Sequence, residues 1–209
     1  MKKLFILSLI LIISSCCLIN KFRSIEHTCS LKEDICENNL NMLKTGIDTY
    51  KADGGAFIIQ NMKSSQIVEI ASVGYNIDNQ YHPNFSKIRI NEDITPEHLI
   101  KKYSSMLNEN KKLKQELRNN VKQGIAKNAN IDGVDVYGIT ATTDKGFDKE
   151  VVTTFLGHFE DKNRKYAAIV ILDNPKPLKS TYGFRTAGWN AVKIAKNILI
   201  TINTSKTAE

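Results

Sequence analysis

Four cysteines, four histidines and a scatter of serines are the side chains here that could carry bond-making chemistry. A serine becomes a nucleophile when an amine one helical turn away can take its proton, which in sequence reads Ser-x-x-Lys. No serine in this chain has lysine three positions on, and none has asparagine two positions on. His27, His82, His98 and His158 are scattered and lack zinc-ligand spacing, so each is read as a surface or packing residue. No metal site and no cofactor are expected. Cys29 and Cys36 could bridge in an oxidising compartment. On one helix, a rise of ~1.5 Å per residue would hold them ~10 Å apart, beyond the ~7 Å limit for bridged Cα atoms. Two free thiols are the favoured reading, and a loop-borne bridge is the alternative.

The other two cysteines belong to the start of the chain. Met1-Lys2-Lys3 and the apolar run Leu4 to Ile13 read as an export signal over residues 1–15. Ile13-Ser14-Ser15-Cys16 looks like a bacterial lipobox, with Cys16 as the lipid attachment site. The alternative is an uncleaved anchor, which needs roughly 20 apolar residues, and this run breaks at Ser14 to Cys17. Residues 16–26 are then a lipidated N-terminus and linker, polar from Asn20 to Glu26, ahead of a domain at 27–203 and a tail at 204–209. The expected location is the bacterial cell envelope, membrane-anchored and facing the periplasm.

The formal charge is +7, or +5 once Lys2 and Lys3 leave with the signal. Eight basic and three acidic residues between Glu97 and Lys127 account for that excess, so it sits on one helical stretch. A basic helix suits anionic lipid or envelope polymers, although an ordinary solvated face is the commoner meaning. An exported chain makes nucleic acid an implausible partner.

At 209 residues, with 42% hydrophobic and 24% charged residues, the chain can build one domain with a core. Apolar spacing predicts a helix over Leu31 to Lys51, with Asp53-Gly54-Gly55 ending it. Ala56 to Asn61 and Gln66 to Ser72 read as a hairpin, followed by an irregular connection from Gly74 to Asp93. Thr95, Pro96 and Glu97 are helix-start signals, and the spacing from Leu99 to Ile125 predicts two helices broken near Asn108 to Asn110. Val134 to Thr143 and Val151 to Phe159 form a second hairpin about the turn Asp144 to Glu150. A strand over Tyr166 to Leu172 and a helix over Ala191 to Ile202 complete an α+β fold, a mainly antiparallel sheet flanked by helices.

This ordered series resembles the transpeptidase domain of class B penicillin-binding proteins, most of all the septal peptidoglycan transpeptidases, in truncated form. The resemblance rests on Gly54-Gly55-Ala56 with its hairpin to Ile70-Ala71-Ser72, Thr95-Pro96-x-His98-Leu99, and Gly138-Ile139-Thr140-Ala141-Thr142. It continues in Phe155-x-Gly157-His158-Phe159, Arg164-Lys165-Tyr166, and Tyr182-Gly183 leading to the last helix. It implies a reduced penicillin-binding transpeptidase-like core. In that family the first strand of the second hairpin carries Lys-Thr-Gly, and here the slot reads Ile139, Thr140, Ala141. The family's Ser-x-x-Lys and Ser-x-Asn motifs lie in an insertion for which Gly74 to Asp93 is too short. Lys44-Thr45-Gly46 is a literal match in the middle of a helix and upstream of the sheet, so it cannot fill the slot. Covalent catalysis needs nucleophile, base and oxyanion donors together. The reading is therefore a non-catalytic envelope lipoprotein whose expected partners are peptidoglycan or cell-division proteins. A residual penicillin binder completed by a partner and a decaying paralogue are the rivals.

Overall fold

In the computed structural model, residues 22–76, 95–145 and 150–204 are described. They form a six-stranded antiparallel sheet with helices on its two faces. The strands are β1 (Phe22–Cys29), β2 (Gly54–Asn61), β3 (Ile67–Asn76), β4 (Asp135–Asp144), β5 (Val151–Glu160) and β6 (Lys165–Asp173), in the spatial order β1-β3-β2-β6-β5-β4. The helices are α1 (Glu33–Tyr50), α2 (Pro96–Glu109), α3 (Lys111–Gln123) and α4 (Ala191–Thr204). The expected α+β class, the two hairpins, and the broken helix pair before β4 are all present.

Alternation along the strands splits the core in two. Phe57 and Ile59 of β2, Phe155 and Phe159 of β5, and Ala168 and Val170 of β6 face α1 and α4. Ile58, Leu156, Ile169 and Ile171 face the other way and pack on Ile100, Tyr103 and Leu107 of α2. Strands β2, β5 and β6 are covered on both sides, which is why β2 and β6 read as largely apolar runs, while β5 also buries Thr153, Thr154 and His158. Helix α3 joins neither face wholly: Val121 enters the first core and Leu117 the second. It therefore wraps the β4 edge of the sheet.

Local signals decide the ends of the helices. Thr95 Oγ1 accepts from the His98 amide at 3.2 Å, with Pro96 in the first turn, as the capping reading required. Asn110 separates α2 from α3 and caps the latter by accepting from the Leu113 amide at 2.9 Å. Helix α1 ends differently from expectation. Its left-handed residue is Lys51 (φ 50°), while Gly54 and Gly55 already belong to β2. Gly55 is needed there for closeness, since a Cβ would stand 2.7 Å from the Ile171 carbonyl oxygen of β6.

The N-terminal part brings two corrections. Phe22 to Glu26 is not linker but part of β1, which pairs antiparallel with β3 from Phe22↔Asn76 to Cys29↔Glu69. Cys29 and Cys36 are not free thiols: they are disulfide-bonded with Cα atoms 6.0 Å apart. Cys29 closes β1 and Cys36 sits in the first turn of α1, so the one-helix spacing does not apply. Strand β3 also runs on to Asn76, absorbing the start of the expected Gly74 to Asp93 connection, and the rest of that stretch lies outside the described residues. So do the signal segment and Cys16.

Candidate functional site

The slot residues lie on β4, an edge strand whose long register with β5 runs from Asp135↔Glu160 to Asp144↔Val151. Ile139 opposes Leu156, Thr140 opposes Phe155 and Ala141 opposes Thr154. Antiparallel residues alternate between pointing their N–H and C=O at the partner strand and away from it. The direction in β4 is fixed by α3. Arg118 Nη1 donates to the Val136 carbonyl at 2.9 Å, and Asn120 Nδ2 donates to the Gly138 carbonyl at 2.8 Å. Even-numbered residues therefore turn their backbone outward, and α3 satisfies the carbonyls of Val136 and Gly138.

Beyond Gly138 the helix has passed. Thr140 and Thr142 present outward N–H and C=O groups, and neither backbone has a hydrogen-bond partner among the described residues. Ile139 is 50% exposed beside them, and Ala141, Thr142 and Thr143 are exposed too. The Thr142 hydroxyl accepts from the Ala187 amide at 3.0 Å, tying the strand to the turn Ala187–Trp189 that enters α4. The outer edge of β4 thus carries open main-chain donors and acceptors beside an exposed apolar side chain, Ile139. It can pair with an extended peptide; it offers no cation in the strand to a carboxylate.

Two glycines make room for an aromatic ring next to this edge. Gly138 and Gly157 face each other across β4 and β5, and the Phe155 ring fills the space that a Cβ at either would take, at 2.6 and 2.5 Å. Lys145, at the far end of β4, is held by Asp173 at 2.9 Å and Glu150 at 3.0 Å and so is engaged away from the slot.

Beneath the α2 side of β4 lies a buried polar cluster. His158 is fully buried, stacks on Tyr137 with ring centroids 4.5 Å apart, and meets the Tyr103 hydroxyl through Nδ1 at 2.8 Å. Burial drives the imidazole pKa down to about 3, so it is neutral at physiological pH, and burial likewise pushes the Tyr103 hydroxyl upward. The Tyr137 hydroxyl donates to Glu160 at 3.1 Å; burial and that carboxylate raise it to about 12. Burial works to raise Glu160, yet its ion pair with Lys114 leaves the carboxyl below its ordinary value. This cluster faces α2 and α3 rather than the open edge, and it works as an internal brace. His158 is buried packing, one of the two roles its isolation in sequence had left open.

Lys44-Thr45-Gly46 lies within α1, where Gly46 lets Ile194 of α4 approach: a Cβ would stand 2.2 Å from Ile194 Cδ1. Its glycine serves a helix crossing. No helix among the described residues is long and apolar enough to cross a membrane. Sequence reasoning located the strand but missed Arg118 and Asn120. Their side chains bond backbone 18 positions away, which periodicity cannot reveal.

No family model and no curated protein matches the sequence. Solved structures do. The transpeptidase domain of the FtsI4 D,D-transpeptidase from Legionella pneumophila superposes with a TM-score of 0.71 at 16% identity, covering 86% of this chain and all of that one. The transpeptidase domain of Burkholderia pseudomallei penicillin-binding protein 3 gives 0.61 at 10% identity over 87% of this chain and 97% of its own. A peptidoglycan glycosyltransferase from Burkholderia ambifaria gives 0.57 at 11% identity, over 87% and 99%.

Proposed function

Starting from a chain with the transpeptidase-domain fold of class B penicillin-binding proteins, we propose that it is a non-catalytic, peptide-binding member of the cell envelope. Its ligand is the stem peptide of peptidoglycan, laid as an added strand along Thr140 to Thr143 of β4. The observation that carries this reading is the backbone of Thr140 and Thr142, which has no partner among the described residues, beside Ile139, which stands where the family has lysine. Main-chain pairing supplies affinity in such a mode, and the flanking side chains supply selectivity. Absence of Ser-x-x-Lys and Ser-x-Asn from the sequence supports binding without acylation. The chain is held at the membrane through Cys16.

Two assays test this together. The purified chain is incubated with a fluorescent penicillin, and its retention on purified peptidoglycan is measured in parallel. The expected result is no covalent adduct, cooperative unfolding, and retention that falls about fivefold in Thr140→Pro. That substitution removes one outward donor, a hydrogen bond of about 1 kcal/mol, while sparing the ladder to β5. A stoichiometric, heat-stable adduct would overturn the non-catalytic reading. Retention unchanged by Thr140→Pro would remove the β4 edge as the binding surface.

A further inference from the structure

A second group of reactive side chains gathers at the opposite end of the sheet, between β1, β3 and α1. Cys29 and Glu69 are cross-strand partners in the β1–β3 register, and His27 lies two residues before Cys29, on the same face. Helix α1 closes over that face with Cys36 and Asn39, three apart and on one side of the helix. His27 Nε2 is 2.9 Å from Glu69 Oε1, and Asn39 Nδ2 donates to Glu69 Oε2 at 2.7 Å. A nitrogen of His27, the sulfur of Cys29 and a carboxylate oxygen of Glu69 all lie within 4.8 Å of one another, and Cys36 is bonded to Cys29.

This site is inside the fold. The Glu69 side chain has no exposed surface, that of His27 is 20% exposed, and Cys36 is buried. Asn39 is fully buried, and its Oδ1 has no hydrogen-bond partner among the described residues. A buried carboxylate stabilised by one imidazole and one amide is a costly arrangement for a structural brace, because a carboxylate out of water needs compensating charge. Two sulfurs, an imidazole and a carboxylate are also the donor types that select zinc-class divalent ions.

We propose that Cys29, Cys36, His27 and Glu69 form a redox-controlled site for a zinc-class divalent cation. In the disulfide form the sulfurs are bonded to each other and no thiolate is available. A phosphine or dithiol reductant supplies two electrons that break the S–S bond, and two protons complete the thiols. The reductant is oxidised to a phosphine oxide, with oxygen from water, or to its own disulfide. Binding the cation then releases both thiol protons, and the two thiolates, the imidazole Nε2 lone pair and a Glu69 oxygen donate to it. The imidazole nitrogen and the carboxylate oxygen need move little. Tetrahedral zinc bonds of ~2.0–2.1 Å to nitrogen and oxygen separate two such ligands by about 3.3 Å, against the 2.9 Å between His27 and Glu69. Asn39 remains on the other Glu69 oxygen and holds the carboxylate in its orientation.

The test is a cobalt titration of the purified chain under anaerobic conditions, before and after reduction with a phosphine. The reduced chain is expected to take one equivalent of Co²⁺, with a thiolate-to-cobalt charge-transfer band and the intense visible bands of a tetrahedral ion, and to lose them to Zn²⁺. The oxidised chain is expected to show neither. Cys36→Ser should abolish the charge-transfer intensity of the second thiolate, and His27→Ala and Glu69→Gln should each weaken binding at least tenfold. Far-UV circular dichroism reports the fold throughout. A reduced, folded chain with no bands overturns the proposal, as does binding unchanged in His27→Ala and Glu69→Gln. If reduction unfolds the chain, recovery of its dichroism with Co²⁺ supports the site and failure to recover overturns it.

Discussion

Asn120 Nδ2 donates to the Gly138 carbonyl at 2.8 Å, and this is the bond at which α3 stops satisfying the edge of β4. The same side chain accepts from the Ile125 amide at 3.1 Å, so one carboxamide caps the C-terminal end of a helix and the covered part of a strand at once. Asn120→Ala leaves both groups unpaired and is expected to destabilise the chain by about 1–3 kcal/mol. Asn120→Asp keeps only the acceptor, toward Ile125, and should fall between the two in urea-unfolding midpoint.

Gly138 is constrained by an aromatic ring rather than by its backbone angles. Gly138→Ala places a methyl 2.6 Å from Phe155, and overpacking of this kind costs about 1–3 kcal/mol. In the double variant with Phe155→Leu the ring is gone, so the combined loss should be smaller than the sum of the single losses. Calorimetric midpoints of the four species measure that coupling, and strict additivity would contradict the packing described.

Acid should weaken the fold through His158. Its imidazole titrates near 3 in the folded chain against about 6.5 when unfolded, so between those values the unfolded chain binds the extra proton. Stability from this group is complete above about pH 6.5 and declines as pH falls toward 3, by a few kcal/mol in all. Glu69 acts in the opposite sense. Burial raises its carboxyl above the ordinary value, so it favours the folded chain most at low pH and loses that contribution as pH rises through the interval above that value. Urea unfolding at a series of pH values should show the decline in the parent chain and a flatter profile in His158→Gln.

The Cys29–Cys36 bridge closes a short loop, for which the loss of unfolded-state freedom is about 2–3 kcal/mol. Cys36→Ser should lower stability by that amount in metal-free buffer, and reduction of the parent chain should give the same shift. An unchanged midpoint would mean that the bridge adds nothing beyond the packing around it.

Lipid attachment is checked separately. Cys16→Ala is expected to abolish labelling with a fatty-acid probe and to leave the precursor uncleaved, and normal processing of that variant would exclude the lipobox.

Elements with strong periodicity were legible in the sequence, and long-range pairings were not. Strands β2 and β6 are largely apolar on both faces and β5 is rich in β-branched and aromatic residues, so their composition marks them, and Thr95-Pro96-Glu97 marks α2 through chemistry local to four residues. Strand β1 carries Arg23, Ser24, Glu26, His27 and Thr28 around the exposed Ile25, because it is an edge strand paired to β3, forty or more residues away. Missing β1 carried the disulfide with it, since the bridge depends on Cys29 ending a strand. The strand that carries Ile139, Thr140 and Ala141 could be placed from its composition, but its open edge could not: which half of β4 is covered depends on where α3 stops.

The bridge at Cys29 also divides the response of the chain to load. Tension applied at Phe22 with the rest of the molecule held would open β1 from β3 one pair at a time, as a zipper opens, beginning at Phe22↔Asn76. The tear would run as far as Cys29 and halt there, where a covalent link diverts the pull into α1 and the core beneath it. Strand β1 then behaves as a short length of slack between the point of pull and a body that stays folded.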